Sequence, residues 1–221
     1  MNIKKNLVSS SKYGIKCPYT MDAEGYCVHN TYNDASAENE ISYMISNNNA
    51  TSFHYAIDDK EVVQGIPENR NAFHASDGAS GAGNRKYIAI EICHSKSGGT
   101  KFVAAEKNAA KFIASGLKEK GWDISHVKKH QDFSGKYCPH RTLDMGWQRF
   151  LDMVQAELDI LNRPVTPVVK MDNTPDSYAT EAVVWAVKEG ILKGNEKGDY
   201  KLHTNVTRQD MLVFLHRALK K

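Results

Sequence analysis

Two histidines and one cysteine have the chemistry of a metal site. His130 and Cys138 lie in one short segment, and His29 ends the apolar run that begins at Tyr26. Two imidazoles and one thiolate can hold zinc and leave its fourth tetrahedral position open to water, as in a catalytic site. Each histidine alone would equally fit an ordinary hydrogen-bonded polar residue. Taken together, the three residues indicate a hydrolytic metal site.

A carboxylate and an ammonium group are expected beside this metal. Glu91 stands alone in the apolar run 88–92, where a charge is costly unless it faces a site. Simple strand alternation would instead point it to solvent. We interpret Glu91 as the group that takes a proton from water and passes it to a leaving amine. Lys136, just before Cys138, is interpreted as a stabiliser of the oxyanion, with a solvated surface lysine as the alternative.

The segments around these residues predict alternating strands and helices. Strands are predicted to end at His29, Cys93 and His130, with a hairpin between 53 and 64. The helices are predicted over three ranges: 37–46, 104–120 and 147–161. The order β-α-β-β-loop-β-α-β-α favours an α/β fold with a central mixed sheet flanked by helices. Its one long polar loop, 67–84, has a length typical of functional loops.

A smaller unit follows the predicted catalytic domain, which covers residues 1–161. Residues 162–171 contain two prolines and several β-branched residues, so they are interpreted as an extended linker. Amphipathic helices are predicted over 178–190 and 207–219. Residues 172–221 are therefore expected to form a small helical module that buries little core of its own.

Composition narrows the classes of function. The 221 residues carry a net charge of +3 with no basic stripe, which argues against a nucleic-acid partner but favours anionic polymers. No apolar run is long enough for a bilayer, and the first residues lack the apolar region of a signal peptide. The chain is therefore expected to be made in the cytoplasm, to have no membrane partner and to keep its four cysteines as thiols. Among these, Cys27 and Cys93 are interpreted as core residues.

Several motifs together resemble one enzyme family. They are Val28–Thr31, Ser52–His54, Gly83–Arg85, Ile90–Ile92 and His130–Arg141. Residues 1–160 resemble the zinc-dependent N-acetylmuramoyl-L-alanine amidases of type 2, in particular phage-type endolysins and autolysins related to peptidoglycan recognition proteins. The resemblance implies a mixed sheet with zinc in a surface cleft. It also implies hydrolysis of the amide between N-acetylmuramic acid and L-alanine in Gram-positive peptidoglycan.

The resemblance assigns roles to the same residues. It implies zinc ligands at His29, His130 and Cys138, a catalytic carboxylate at Glu91 and an oxyanion lysine at Lys136. Some relatives have a catalytic tyrosine where this chain has Phe53, which leaves the proton transfer to Glu91. Three further residues are expected to contact the glycan or peptide: Asn30, His74 and Asn84. For His74, a structural role is equally open.

The C-terminal module resembles a single S-layer homology motif. The resemblance implies binding of secondary cell-wall polysaccharide through Asp176, Trp185 and Arg208. Alternatively, Trp185 is a core residue and Arg208 is solvated. Because such motifs commonly act in threes, one copy implies self-association of the modules or weak binding. A further hypothesis makes Met171 an internal start that yields free modules.

Two other functions remain open at this point. A cysteine-dependent wall hydrolase would use Cys138 as its nucleophile and would survive chelation. A recognition module without activity would bind the wall and cut nothing. Without a signal peptide, the enzyme is expected to act on the wall only after its release from the cell.

Overall fold

The computed structural model describes residues 3–163 and 171–220. The chain divides into two compact units, Met1–Arg163 and Pro164–Lys221. Within the described residues, the first unit contains one six-stranded mixed sheet. Its strands are β1 (Ile3–Lys5), β2 (Gly25–Asn30), β3 (Tyr55–Ile57), β4 (Val62–Gln64), β5 (Tyr87–Ile92) and β6 (Val127–Lys129). The order across the sheet is β1-β4-β3-β5-β2-β6, with β3 and β4 antiparallel and the other neighbours parallel.

Helices surround this sheet and confirm the predicted α/β class. In the described part of the first unit they are α1 (Tyr13–Lys16), α2 (Ala37–Ser46), α3 (Ala82–Lys86), α4 (Gly99–Lys120), α5 (Gln131–Ser134), α6 (His140–Asp144) and α7 (Trp147–Asn162). Short 3-10 turns cover Ser10–Lys12 and Ile124–His126. α2 has the predicted bounds because Ser36 caps its first turn and Ile41 and Met44 are buried. α4 ends as predicted at Gly121, whose φ of +67° suits glycine.

The two faces of the sheet carry different residues. On β2 and β5, alternate residues Tyr26, Val28, Ile88 and Ile90 pack in the core cluster that includes α4 and α7. Residues one position away point to the other face by strand alternation. Ala89 accordingly packs in a second cluster with residues of α2. His29 and Glu91 follow the same alternation, which places both on the α2 side of the sheet.

The second unit is helical and poorly buried. Among its described residues, the helices are α8 (Thr180–Lys188) and α9 (Arg208–Leu219), and the 3-10 turn is Ser177–Ala179. Thr207 and Asp210 form a reciprocal capping box at the start of α9. The buried side chains among residues 171–220 are Ile191 and Asp199. Most of the predicted linker 162–171 lies outside the described residues, namely residues 164–170. Within the described ranges, none of the helices combines the length and the apolar character needed to cross a bilayer.

Candidate metal centre and active site

The three predicted ligands meet at the ends of two neighbouring strands. His29 lies near the end of β2, and His130 directly follows β6, which pairs with β2 in parallel. The Nδ1 atoms of the two histidines are 3.0 Å apart. Cys138, in the loop after α5, places its Sγ 3.8 Å from His29 Nδ1. All three side chains are buried.

This geometry fits a tetrahedral zinc ion. Bond lengths of 2.0–2.3 Å put the ligand atoms of such an ion roughly 3.3–3.6 Å apart, close to the spacings seen here. Burial lowers the pKa of His29, and the neighbouring His74 and His130 lower it further. The pKa of His130 is also lowered, first by burial and then by Lys136. Both imidazoles are therefore neutral near pH 7, which is the form that binds a cation.

Asn30 connects the cysteine loop to β2. Its Oδ1 accepts the backbone N–H groups of Arg141 at 3.0 Å and Thr142 at 3.1 Å, at the start of α6. Its Nδ2 donates to the Thr142 hydroxyl and to the carbonyl of His29. Because each polar atom already has two partners in the protein, Asn30 has a structural function. The predicted contact with substrate receives no support from this hydrogen bonding.

Asn84, in α3, has the same kind of function for the loop that precedes this helix. Its Oδ1 accepts the backbone N–H groups of His74 at 2.7 Å and Ala75 at 2.8 Å, and its Nδ2 donates to the carbonyl of Gly78. The loop is thereby held so that His74 Nδ1 lies 2.9 Å from Nε2 of His29. Asn84 therefore positions His74, and its predicted contact with substrate likewise receives no support.

Cys27 is buried as predicted but is more than a core residue. Its Sγ lies 3.1 Å from Nε2 of His29, the nitrogen that also faces His74. Cys27 and His29 point to the same face of β2 because they are two positions apart. Burial raises the pKa of the Cys27 thiol well above its usual value. The sequence interpretation gave a metal-like neighbourhood to Cys138 alone, and the structure adds Cys27 to the group around His29.

A cleft of about 590 Å³ opens onto the three ligands. All five residues expected to take part in the chemistry line it: His29, Glu91, His130, Lys136 and Cys138. Glu91 pairs with His29 across the parallel strands, and its Oε2 has no hydrogen-bond partner. Burial and, to a smaller extent, Glu40 raise the pKa of Glu91 to about 8, although Lys136 acts in the opposite direction. The cleft thus combines a carboxyl that can hold or release a proton with an exposed lysine.

Tyr32 is a cleft residue that the sequence analysis missed. Its side chain is 72% exposed, and its ring lies 4.6 Å from that of His140. The backbone has a φ of +60°, and its N–H donates to the hydroxyl of Ser95 at 2.7 Å. Positive φ at a tyrosine is strained, and such strain concentrates at functional sites. No periodic pattern marks a residue in a turn, so sequence alone gave no signal.

The predicted wall-binding residues of the second unit have different surroundings. Asp176 lies 3.5 Å from His203, Trp185 is 55% exposed, and Arg208 begins α9. The exposure of Trp185 excludes the alternative that it is a core residue. Within residues 171–220, no hydrogen bond or ion pair joins any two of the three. A separate cleft of about 420 Å³ in this unit is lined by other charged residues: Lys193, Asp199, Lys201, Asp210 and Arg217.

Comparison with known proteins gives two matches to family models. Residues 19–141 match the model described as N-acetylmuramoyl-L-alanine amidase. Residues 171–212 match the S-layer homology domain. The first match includes His29, Glu91, His130 and Cys138, and the second includes Asp176, Trp185 and Arg208.

Individual proteins resemble the chain over one or both units. It is 52% identical over 206 residues to the N-acetylmuramoyl-L-alanine amidase CwlA of Bacillus subtilis (strain 168). This alignment covers 89% of this chain and 76% of CwlA. It is 60% identical over 158 residues to the amidase XlyB of the same strain, with 71% of this chain and 50% of that protein covered, so it spans about half the length of XlyB. The solved structure of PlyL has 54% identity and a TM-score of 0.68, covering 70% of this chain and 97% of that one.

Proposed function

This chain belongs to the N-acetylmuramoyl-L-alanine amidase family and is a peptidoglycan hydrolase, and from that premise we propose that it works through a zinc ion held by His29, His130 and Cys138. The observation that carries the proposal is the convergence of two imidazole Nδ1 atoms and one sulfur on a single buried point. When bound, zinc polarises the scissile carbonyl and lowers the pKa of a water molecule toward neutrality. The bond cut joins N-acetylmuramic acid to L-alanine.

Glu91 moves the proton in this scheme. Its raised pKa lets the carboxyl exchange a proton near neutral pH. Glu91 lines the cleft beside the proposed ligands, and its Oε2 has no hydrogen-bond partner, so the carboxylate can accept a proton from water and return it to the alanine nitrogen. Phe53, which also lines the cleft, offers no hydroxyl for this step.

Lys136 acts on the developing negative charge. Its side chain is exposed on the loop that leads to Cys138, and it lines the cleft together with Glu91. An ammonium group there stabilises the oxyanion that forms when the amide carbonyl is attacked. Tyr32, on the rim, offers an aromatic surface to the sugar or to the peptide.

The metal proposal is tested by exchanging Cys138. Aspartate is also a zinc ligand, so Cys138→Asp should keep bound zinc and part of the activity, whereas Cys138→Ala should lose both. Metal analysis is paired with an assay of digested walls, in which new alanine amino termini must appear without new reducing sugars. A cysteine-dependent hydrolase would instead lose all activity in both variants and would resist chelators. That result would overturn the zinc proposal.

We also propose that the second unit binds secondary cell-wall polysaccharide and self-associates. Its match to the S-layer homology domain supports wall binding. Its helices leave many apolar side chains more than 40% exposed, including Val184, Trp185, Met211, Leu212, Leu215 and Leu219. A unit with so little buried core gains stability when a second copy covers that surface. We also propose that the enzyme reaches the wall after its release from the cell.

Light scattering of the full chain tests self-association. The wild type should be larger than a monomer, and Leu212→Glu with Leu215→Glu should dissociate it. Lys197→Glu, which changes charge away from α8 and α9, is the matched control and should leave the mass unchanged. A monomeric wild type at tens of micromolar would contradict this part of the proposal.

A further inference from the structure

We infer that His74 is a positioning residue that holds the metal ligand His29 in the tautomer able to bind zinc. This inference rests on the proposed zinc site. It develops the structural role that the sequence left open for His74 beside a contact with substrate. The observations that carry it are the two different environments of the His29 ring nitrogens and the way the His74 loop is fixed.

The two nitrogens of His29 face opposite partners. Nδ1 faces the other ligands, at 3.0 Å from His130 Nδ1 and 3.8 Å from Cys138 Sγ. Nε2 faces away from them, at 2.9 Å from His74 Nδ1. The rings of His29 and His74 are nearly perpendicular, at 89° with centroids 5.0 Å apart. This arrangement lets an N–H in the plane of one ring point at a nitrogen of the other.

Proton placement then follows from the geometry. A neutral imidazole carries one proton, so a ring that gives its Nδ1 lone pair to a cation must carry the proton on Nε2. In His29 that N–H finds His74 Nδ1 as its acceptor. The opposite tautomer would direct an N–H of His29 at His130 and Cys138 and would block the ligand set. An acceptor behind His29 therefore favours the ligating tautomer before any metal arrives.

Cys27 is a second neighbour of the same nitrogen. Its Sγ lies 3.1 Å from His29 Nε2. Sulfur of a neutral thiol is a weak acceptor, so it supports the same proton position less strongly than an imidazole nitrogen does. His74 is therefore the main partner, and Cys27 is secondary.

The His74 loop is built to hold this position. The Asn84 amide accepts the backbone N–H of both His74 and Ala75. Asp77 in turn accepts the N–H of Gly83 at 2.7 Å. Gly83 allows close packing, since a Cβ there would lie 2.5 Å from the Cβ of Ala75. His74 is only 8% exposed, which limits its contact with a polymer in the cleft.

Two substitutions of His74 distinguish the effect of losing the hydrogen-bond acceptor from the effect of losing the volume of the ring. Asparagine places its Oδ1 near the position of histidine Nδ1 and can accept the same hydrogen bond, whereas leucine fills similar space and accepts nothing. In the full chain, zinc affinity is measured by competition with a chromophoric chelator, and the cobalt-substituted protein is examined by absorption. His74→Leu should weaken zinc binding about 10- to 100-fold and alter the cobalt spectrum. His74→Asn should stay within a few-fold of wild type, and Cys27→Ala should have a smaller effect than His74→Leu.

The possible results are distinguishable. Wild type is measured first, and if it binds no zinc the proposed function fails before His74 is tested. If wild type binds zinc and both His74→Leu and His74→Asn bind it as tightly as wild type does, the positioning function is overturned. The same holds if both variants raise KM with unchanged zinc affinity, since that pattern belongs to a substrate contact. Should His74→Leu fail to fold, as judged by circular dichroism, His74→Ala makes the same comparison with His74→Asn.

Discussion

Single buried side chains decide how the cleft is built. Asn30 and Asn84 each use one amide to hold a neighbouring loop, and those loops carry Cys138 and His74. Sequence placed both asparagines near the site because they lie beside its motifs. Their expected contact with substrate stays a prediction, because both residues line the cleft while their amides hold the protein backbone. A local sequence pattern does not distinguish an amide that holds the backbone from one that binds substrate.

Tyr32 is expected to contribute to substrate binding. Tyr32→Ala should raise KM for soluble wall fragments roughly 5- to 10-fold, with kcat little changed, because an exposed aromatic surface at the rim is lost. Tyr32→Phe should have a small effect. Tyr43→Ala removes a tyrosine that is 67% exposed on α2 and outside the cleft, so it should match wild type. Equal KM in Tyr32→Ala and wild type would exclude a binding function.

His54 is expected to make the fold sensitive to mild acid. Its Nδ1 accepts the N–H of Ala89 and its Nε2 donates to the carbonyl of Arg70, both at 2.9 Å, so the neutral ring satisfies both nitrogens. Burial lowers its pKa to about 4 from an ordinary 6.5. Between these values the unfolded chain binds a proton that the folded chain does not. Stability is therefore complete above pH 6.5 and falls as pH drops toward 4, by about 3 kcal/mol at most.

Urea unfolding at several pH values measures this effect. His54→Asn can keep the acceptor for Ala89 but does not titrate, so its stability should fall less steeply from pH 6.5 to 4 than that of wild type. Other buried histidines contribute to both proteins, and the comparison removes their share. Parallel pH profiles for the two proteins would show that His54 is not responsible.

Among the elements, those with a buried face were predictable and those without were not. α2, β5 and α7 follow apolar periodicity closely, and their predicted bounds agree with the structure within one or two residues. β1 was missed because all three of its residues are exposed and carry no alternation. α5, between His130 and Cys138, and α6, shortly after Cys138, were missed because each lasts only about one turn. Short elements of this kind are set by tertiary contacts rather than by local pattern.

Helix α4 approaches the sheet closely at Gly116. A Cβ at this position would lie 1.8 Å from the hydroxyl of Tyr26, which is fully buried on β2. Alanine normally stabilises a helix over glycine by about 1 kcal/mol, but overpacking costs about 1–3 kcal/mol and should prevail here. Gly116→Ala should therefore lower the free energy of unfolding.

Two further variants check the cause. Tyr26→Phe removes the hydroxyl, so Gly116→Ala should cost less in that background than in wild type. Gly14→Ala in α1 meets nothing within 4 Å and should be neutral or slightly stabilising. A stabilising effect of Gly116→Ala would mean that α4 can move away from β2.

At the scale of the whole molecule, the sequence predicted the fold class because strands and helices alternate along the first unit. The predicted boundary after residue 161 remains a prediction, although the chain divides between Arg163 and Pro164. The expected wall-binding residues were carried over from a resemblance, and their function stays a prediction because no hydrogen bond or ion pair joins any two of them among residues 171–220. The sequence predicted that α8 and α9 are amphipathic, but it could not show that many of their apolar side chains stay exposed in the folded unit.

The first unit is expected to fold and cut without the second. The match to PlyL covers 97% of the PlyL structure but only 70% of this chain. A chain without the remaining 30% therefore forms the same fold. A chain ending at Arg163 should melt within a few degrees of the full protein and cleave soluble fragments at a similar rate. Its retention on purified walls should fall. Loss of the thermal transition on truncation would show that the first unit depends on the second for stability.

The ligand atoms of His29 and His130 come from positions 101 residues apart in the chain. Between them lies a solvent-exposed turn at 96–97, before α4, so two polypeptides divided there would each carry only part of the proposed ligand set. Neither piece alone could bind the cation with all three ligands. If mixing such pieces restored activity, the recovered hydrolysis would report directly on the docking of β6 against β2, and this hydrolase could serve as a split reporter.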